Sequence, residues 1–585
     1  MSEREKKYTT DPVCSGPPIY TVKTECQDCY KCIRECPVKA IKVEGASASV
    51  MPELCVLCGH CVNACPHGAK QVRDDLPRAK DLISERQKVV ASLDPSFISE
   101  FDGVSPGGFI RGLKMLGFWG VSEAALGAEL VSSQAFRLLD ESEKSVFISS
   151  SCPTVVQYLR RYQPDYAKHI MHFMSPVLAH ARLLRQHYGE KVGVIFIGPC
   201  IARKKDADDH PELIDVTITF EDIRRWFDDA GIDVSSLAET KGDVFIPRHS
   251  NEGALYSVVG GMIESIRGQK KKALHAQFIA FSGIRRLKNA LRGFEEVLPD
   301  GNLLLELSAC FGGCVNGPKS LTRAATVAKR YRVIRYARPA APRNTESTDI
   351  HLEYPPDPVR QADYTEEMVR DVLRQVGKYS EKDELNCSGC GYDSCRDFAE
   401  ASLSGKAERS MCAGYMRQLA QKKADILIRK MPSAAVIVDN ELRIVECNPN
   451  FSSIFRKDDP DTDEPMQLEG MLLTEVVPFH EIFRQVLKSG EDVAEKNLRF
   501  HGRILHGTIF TIEKNSLIGA LFEDITMPAM KREEIIKRAR HVIQQNLQTV
   551  QKIAYLMGEN AAESEIILNS IVDSFTVKEM EDEDD

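Results

Sequence analysis

The chain has 585 residues, a net charge of −9 and 43% hydrophobic residues, as expected for a multidomain globular protein. It has no basic stripe, so nucleic-acid binding is not predicted. No apolar run is long enough to span a membrane, and the polar start MSEREKKYTTD lacks an apolar signal core, so a cytoplasmic protein is expected. Eighteen cysteines in a cytoplasmic chain indicate metal or redox chemistry rather than disulfides.

Two matched cysteine runs come first, each with the spacing C-x2-C-x2-C-x3-C followed by proline. In such runs the fourth cysteine ligates the cluster of the other run. One 4Fe–4S cluster is therefore predicted on Cys26, Cys29, Cys32 and Cys65, and a second on Cys55, Cys58, Cys61 and Cys36. The alternative, two zinc knuckles, requires ligands in two pairs rather than two runs of four. Residues 20–72 resemble two-cluster bacterial ferredoxins.

Between residues 85 and 335, short apolar runs alternate with helical stretches. Buried strands are predicted in KVVASLDP (88–95), KSVFISSS (144–151) and KVGVIFIGP (191–199). Amphipathic helices are predicted in FIRGLKMLGFWG (109–120), VVQYLRRY (155–162) and PVLAHARLLRQHYG (176–189). This alternation predicts an α/β domain with parallel sheets, in which ligands bind at the carboxyl ends of strands.

The remaining cysteines of this region lie at such strand ends. Cys152 and Cys200 each follow a predicted strand and each adjoin a proline, while Cys310 and Cys314 share the glycine-rich segment ELSACFGGCVNG. Four thiolates are enough for one more cube. The alternative is that isolated cysteines are inert small core residues.

These three segments resemble the active-site motifs of iron-only (FeFe) hydrogenases, over roughly residues 75–335. The resemblance implies that Cys152, Cys200, Cys310 and Cys314 hold the cube of an H-cluster. It also implies that Cys314 bridges to a diiron subsite carrying CO, cyanide and a dithiolate. The neighbouring glycines would let the backbone approach such a cofactor closely.

The chain departs from that family at the pocket. Catalytic members have a proton-passing cysteine where this chain has Ser151, and a hydroxyl is far less acidic than a thiol. Arg203 replaces a lysine that contacts a cyanide, with Lys204 beside it as a substitute. Other replacements are Gly198 and Ser308 for methionines and Asp206 for glutamate; Ser175 is retained, whereas the paired glutamates of the proton path are not legible in GAELVSSQAF (127–136).

These replacements predict a pocket that holds the cofactor but moves protons poorly. Ser151, Arg203, Lys204 and Cys314 are the predicted catalytic residues. The pattern resembles the sensory branch of the family, and the alternative is neutral drift of an ordinary hydrogenase.

A third cysteine cluster has the spacing C-x2-C-x4-C-x16-C, and a helix is predicted between its last two members. Its predicted ligands are Cys387, Cys390, Cys395 and Cys412. The segment resembles the small four-cysteine iron–sulfur domain of corrinoid iron–sulfur proteins, and the match includes Gly391, Phe398, Ala399 and Gly405. By spacing alone a zinc site remains an alternative.

The C-terminal part contains a strand–turn–strand–helix segment from Ser433 and two later strands ending at Asp524-Ile525-Thr526, and it resembles a PAS sensor domain. The alternative is a small α/β domain without a ligand, and Cys447 is interpreted as a packing residue.

Beyond it, Ile536, Ile543, Val550 and Met557 repeat every seven residues, with Arg540, Leu547 and Ala554 between them. This seam predicts a dimerising coiled coil, or else an amphipathic helix packed on its own domain. His541 is interpreted as a solvated side chain, and the EMEDEDD tail as disordered.

The predicted fold is thus a multidomain α/β and α+β chain. Its parts are a ferredoxin-like domain (1–74), a hydrogenase-like H-cluster domain (75–336), a linker and helix (337–380), a four-cysteine 4Fe–4S domain (381–420), a PAS-like domain (421–528) and a helical signalling tail (529–585).

The predicted function is a dihydrogen or redox sensor of low turnover. It would contain three accessory 4Fe–4S clusters and one H-cluster cube, and it would exchange electrons with ferredoxin or another carrier. As a homodimer it would signal to a kinase or phosphatase. The alternatives are a working ferredoxin-linked hydrogenase with a regulatory appendage, and a hydrogenase-like protein without the diiron centre.

Overall fold

The computed structural model describes residues 16–269, 275–293, 301–339, 348–360, 362–455, 468–490, 494–525 and 541–550. The chain divides into two compact units. The first is built from the described residues up to Thr365, with 391–393 and 404–407, and the second from most of the chain after Glu366. Among the described residues, no helix is both long enough and apolar enough to cross a membrane.

The N-terminal part of the first unit repeats one small motif. Strand β1 (Ile19–Thr21) pairs antiparallel with β4 (Lys70–Val72), and β2 (Ile41–Glu44) pairs with β3 (Ser47–Val50). One short helix lies inside each cysteine run, Lys31–Glu35 in the first and His60–Ala64 in the second. Both helices begin after a residue in the left-handed region, Tyr30 and Gly59, so the two runs fold alike.

A four-stranded parallel sheet follows, in the order β6-β5-β8-β9. Its strands are β5 (Val89–Leu93), β6 (Gly120–Glu123), β8 (Gly193–Gly198) and β9 (Val216–Thr219). Successive residues of a strand face opposite sides, so Phe196 enters one hydrophobic core while Ile195 and Ile197 enter the other. Burial on both faces explains the continuous apolar runs in the sequence.

A second parallel sheet has the order β10-β11-β7. Its strands are β7 (Val146–Ile148), β10 (Ala276–Ser282) and β11 (Asn302–Ser308). The predicted parallel α/β arrangement is therefore confirmed. The other helices of this unit are Leu76–Glu85, Phe97–Glu100, Pro106–Met115, Ala125–Glu141, Pro153–Tyr162, Pro164–Ala167, Pro176–Tyr188, Ala202–Asp209, Phe220–Asp229, Gly261–Arg267, Ile284–Leu291 and Thr326–Tyr336.

The second unit begins with helices and ends with an antiparallel sheet. Its helices are Glu366–Gln375, Cys395–Leu403, Ala413–Lys430, Pro449–Phe455, Leu473–Val476 and His480–Ser489. The sheet has the order β13-β12-β16-β15-β14, with β12 (Ala434–Asp439), β13 (Ile444–Cys447), β14 (Ala494–Phe500), β15 (Arg503–Glu513) and β16 (Leu517–Asp524).

One predicted helix is shorter in the structure than expected, and another is described only in part. The helix between Cys395 and Cys412 ends at Leu403, because Gly405 has a positive φ of 69° and the chain turns there. Of the predicted coiled coil only 541–550 is described, and it is helical with Ile543, Leu547 and Val550 half-buried and His541 exposed. Thr526, Ile536, Arg540, Ala554, Met557 and the acidic tail lie outside the described residues.

Candidate metal centre

Four cysteines from three separate segments line one cavity. They are Cys152, Cys200, Cys310 and Cys314. Cys152 lies just beyond β7 and caps the helix Pro153–Tyr162, and Cys200 directly follows β8 and Pro199. The structure therefore brings together all four cysteines that the sequence predicts for the cube.

Two sheets supply these ligands. β7 and β11 are neighbours in the second sheet, with Leu305 opposite Ile148, so their carboxyl ends deliver Cys152 and Cys310 side by side. β8 belongs to the first sheet and delivers Cys200 to the same cavity. Because every strand involved is parallel to its neighbours, these ends open onto the same cavity, as the rule for α/β folds predicts.

The thiols at this cavity are electrostatically suited to a metal cluster. Burial raises the pKa of Cys200 to about 12. Burial also raises the pKa values of Cys310 and Cys314 well above the ordinary thiol range, and neighbouring thiolates add to the effect. Thiolates gathered at one buried cavity need compensating positive charge, which iron supplies. The donor set therefore fits a 4Fe–4S cube.

The loop from Cys310 to Gly317 is held close to its surroundings. Gly313 has a φ of 105°, and a methyl group on it would lie 2.6 Å from the carbonyl oxygen of Ser257. The amide of Gly313 donates to the carbonyl of Cys310 at 3.1 Å, and that of Gly317 to the carbonyl of Cys314 at 2.7 Å. Glycine is thus required at 313 for two reasons: the backbone has a positive φ, and there is no space for a β-carbon.

Polar side chains form part of the cavity wall. Ser151 and Arg203 line it, as predicted. The Arg203 guanidinium donates to Ser175 Oγ at 2.6 Å and to the carbonyl oxygen of Ser151 at 2.8 Å, and it also bonds to Asp206. Arg203 is therefore a fixed, buried cation whose fork joins the first and second cysteine segments.

Lys204 does not belong to this wall. Its ammonium is fully buried elsewhere, donating to Asp75 Oδ2 at 2.9 Å and to the carbonyl oxygen of Thr217 at 3.1 Å. Adjacent residues at the start of the helix Ala202–Asp209 point in different directions, so only Arg203 reaches the cavity. The expectation that Lys204 could substitute for Arg203 is corrected accordingly.

Among the wall residues that the sequence does not predict, four bear polar or sulfur-containing side chains that bond to their neighbours: Asp94, Tyr256, Met262 and Glu306. Asp94 accepts a hydrogen bond from the Tyr256 hydroxyl at 2.8 Å and from the amide of Ser96 at 2.9 Å. Burial raises the pKa of the Asp94 carboxyl. A charged residue at the end of a buried strand was a usable signal for Asp94. Tyr256 and Met262 come from short helices whose position depends on tertiary packing, so their sequence carried no such signal.

Gly198 and Ser308 have different surroundings. Ser308 lines the cavity. At Gly198 a methyl group would lie 2.7 Å from Cζ of Phe196 and 3.0 Å from Cβ of Asp94. The space for a longer side chain at 198 is therefore already occupied.

Burial and neighbouring thiols shift the pKa values of several N-terminal cysteines. The pKa of Cys32 rises to about 12, mainly through burial, with smaller contributions from Cys29, Cys26 and Cys65. Burial also raises the pKa of Cys58, and repulsion from Cys36 and Cys55 adds to the effect. Backbone amides donate to Cys36 Sγ, Cys55 Sγ and Cys26 Sγ, and such bonds orient a thiolate and stabilise its negative charge.

Cys58 and Leu57 also line the cavity of the four cysteines. The second N-terminal cysteine group and the central cysteines therefore adjoin each other within the first unit.

In the second unit, Cys395 and Cys412 are buried, Cys390 is half-buried and Cys387 is exposed. Asn386 Oδ1 accepts from the amide of Cys395 at 2.8 Å and so fixes the start of the cluster loop. Across the described residues, no three histidine, cysteine or carboxylate side chains lie close enough together to bind one metal ion. A cube spreads its ligands over four irons, so its thiolates are spaced more widely than those of one zinc.

Comparison with known proteins assigns three segments. Residues 87–318 match the family described as iron only hydrogenase large subunit, C-terminal domain. Residues 25–69 match the 4Fe-4S dicluster domain, and 383–426 match a family described as an Fe–S cluster.

The chain is 23% identical over 361 residues to iron hydrogenase 1 of Clostridium pasteurianum, covering 45% of this chain and 63% of the relative. It is 22% identical over 360 residues to an NADP-reducing hydrogenase subunit of Solidesulfovibrio fructosivorans, covering 50% of this chain and 61% of the relative. The chain thus spans about three fifths of the length of these two relatives. An FeFe-hydrogenase structure from Chlamydomonas reinhardtii aligns with a TM-score of 0.35 and 17% identity, covering 44% of this chain and 88% of that one.

Proposed function

We propose that this chain, an FeFe-hydrogenase-type iron–sulfur protein whose residues 87–318 form the large-subunit domain of that family, is a slow dihydrogen or redox sensor. One observation carries the proposal. The cavity gathers all four cube cysteines, yet at the position next to Cys152 it presents the hydroxyl of Ser151 instead of a thiol. Retention of the metal-binding set together with loss of an efficient proton relay favours binding over turnover.

When bound, a cube on Cys152, Cys200, Cys310 and Cys314 with a diiron subsite attached through Cys314 would supply the dihydrogen and electron chemistry. The chain's own residues would enclose it. Arg203 would place a fixed positive charge at the wall, and its bonds to Ser151 and Ser175 would keep that charge oriented. Asp94 and Tyr256 would present a second hydrogen-bonded pair there.

Electrons would enter through the N-terminal clusters. Support comes from Cys58, which lines the same cavity as Cys310, so the group on Cys55, Cys58, Cys61 and Cys36 would be the nearer one. We expect ferredoxin or a similar carrier to exchange electrons with the cluster on Cys26, Cys29, Cys32 and Cys65, and the protein to act in the cytoplasm.

The C-terminal part would carry the output. An antiparallel sheet in the order β13-β12-β16-β15-β14 places the first two strands beside the last, and this order supports a PAS-like domain. The half-buried stripe of Ile543, Leu547 and Val550 supports the predicted dimer seam. The partner would be a kinase or phosphatase that reads the state of the dimer by contact.

Two other functions are distinguished by the same measurements. A working ferredoxin-linked hydrogenase would turn over rapidly despite Ser151. A protein without the diiron subsite would hold the cubes alone, and the presence of Cys314 at the cavity argues against it.

The test is infrared spectroscopy of the matured full chain, combined with iron analysis and a dihydrogen assay using a small dye. CO and cyanide stretches with slow turnover and about sixteen cube irons per chain, plus two, would support the sensor. Rapid turnover would favour the hydrogenase, and missing CO and cyanide bands would favour the diiron-free protein. Cys447→Ser is the matched control, because Cys447 packs against the core of the second unit, lies 3.6 Å from Ser452 Oγ and belongs to none of the predicted cluster sets.

A further inference from the structure

We propose that Met262 is a positioning residue that binds the Ser151 hydroxyl at the cavity wall, so that positions 151 and 262 work as a pair. The inference rests on the proposed function and adds a specific restriction to it. A thiol at 151 is not accommodated in the serine's place unless Met262 changes as well.

The contacts are short and mutually consistent. Ser151 Oγ donates to Met262 Sδ at 2.9 Å. Ser149 Oγ donates to Ser151 Oγ at 2.8 Å and also lies 3.2 Å from Met262 Sδ. Each hydroxyl has a single proton, and a thioether can only accept. The protons of Ser149 and Ser151 are therefore both directed within this three-residue cluster.

Met262 is not free to move away. It is 2% exposed and lies in the first turn of the helix Gly261–Arg267. Glu306 fixes that turn, because its two carboxylate oxygens accept from the amides of Gly260 at 2.9 Å and Ile263 at 3.0 Å. Glu306 stands on β11, whose neighbour β7 leads directly to Ser149 and Ser151. One rigid sheet thus positions both the hydroxyl and the sulfur.

The 2.9 Å separation suits a hydroxyl but excludes a second sulfur. Carbon atoms in van der Waals contact are about 3.5–4.0 Å apart, and sulfur is no smaller than carbon. A thiol at 151 has a longer bond to Cβ than a hydroxyl, which brings it still closer to Met262 Sδ. It would have to leave the serine rotamer or displace a buried methionine, and either change perturbs a close-packed wall.

The test is a double-mutant cycle on the full chain, reconstituted anaerobically with its iron–sulfur clusters. Thermal midpoints are measured for wild type, Ser151→Cys, Met262→Ala and the double variant. We expect Ser151→Cys to lower the midpoint, and the double variant to lose clearly less than the sum of the two single losses. Leu113→Ala is the control, since Leu113 is fully buried but belongs to the other hydrophobic core and does not line the cavity, and its loss should add to that of Ser151→Cys.

Additive losses at 151 and 262 would overturn the pairing. Turnover of the matured variants is the second readout, and it separates the two proposals. With the pairing, Ser151→Cys/Met262→Ala should turn over dihydrogen at least tenfold faster than Ser151→Cys alone, because only the double variant accommodates the thiol in the serine's place at the cavity wall. Coupled midpoints with equally slow turnover in all variants would keep the pairing and refute proton delivery as the limit in the proposed function.

Discussion

Gly198→Ala should destabilise the hydrogenase-like domain, although alanine is ordinarily well tolerated in a buried strand. Gly198 ends β8 opposite Thr219, and its φ is not in the left-handed region, so backbone strain is not the issue. The added methyl group would lie 2.7 and 2.8 Å from two ring atoms of Phe196 and 3.0 Å from Cβ of Asp94. The effect expected is overpacking.

Neither neighbour can yield easily. The ring of Phe196 is fully buried in the core, and Asp94 is tied to Ser96 and Tyr256. Overpacking of this kind costs about 1–3 kcal/mol. For a domain of this size each kcal/mol shifts the thermal midpoint by about 2–4 °C, so a drop of roughly 2–12 °C is expected.

Anaerobic thermal unfolding of the cluster-loaded chain, followed by circular dichroism, measures this drop. Gly242→Ala is the control, because the nearest atom to its added methyl group would be 4.0 Å away. Phe196→Leu removes the two clashing ring atoms, so combining it with Gly198→Ala should give a loss smaller than the sum. A midpoint for Gly198→Ala equal to that of wild type would refute the packing argument. If the drop is found, a side chain as long as methionine cannot be introduced at 198 by a single substitution.

Two further predictions concern the core and the tail. His180 is fully buried between Ser92 Oγ at 2.7 Å and Ser122 Oγ at 2.8 Å, and burial lowers its pKa to about 3 from the ordinary 6.5. The unfolded protein binds a proton at His180 more readily than the folded protein does. The free energy of unfolding is therefore highest above pH 6.5 and falls by up to about 1.4 kcal/mol per pH unit as the pH is lowered. His180→Gln should flatten this pH dependence in denaturant titrations, and an unchanged slope would contradict a neutral buried imidazole. Aspartate at both Ile543 and Val550 should abolish dimerisation and partner signalling in sedimentation and binding assays while leaving the iron–sulfur spectra intact, and survival of both properties would show that the helix packs on its own domain.

The grouping of the cysteines in space could be predicted because it follows from local sequence patterns. Fixed spacing places thiolates around one cluster, and alternation of apolar runs and helices places Cys152, Cys200 and Cys310 at strand ends that parallel sheets bring together. Lys204 shows the limit of that reasoning. Sequence neighbours on a helix point in different directions, and only the packing of Asp75 and Thr217 against this helix decides that Lys204 faces the core.

The rest of the cavity wall could not be predicted for a related reason. Met262 and Tyr256 lie more than 50 residues from the nearest cysteine segment on the N-terminal side, in short helices without a motif. Their place at the wall follows from long-range contacts, Glu306 with Gly260 and Tyr256 with Asp94. Such contacts join separate elements of the fold, and local patterns do not encode them.

The two parallel sheets that meet at the cavity have a mechanical consequence. Cys152, Cys200 and Cys310 stand roughly 50 and about 110 residues apart in the chain, so a cube bound to them is a covalent cross-link between the sheets. By the chain-entropy relation derived for disulfides, closing loops of this length is worth about 4–5 kcal/mol each. Oxidative loss of that cube would release the constraint and expose the domain to proteolysis. Chemical damage at one buried centre would thereby shorten the lifetime of the whole polypeptide.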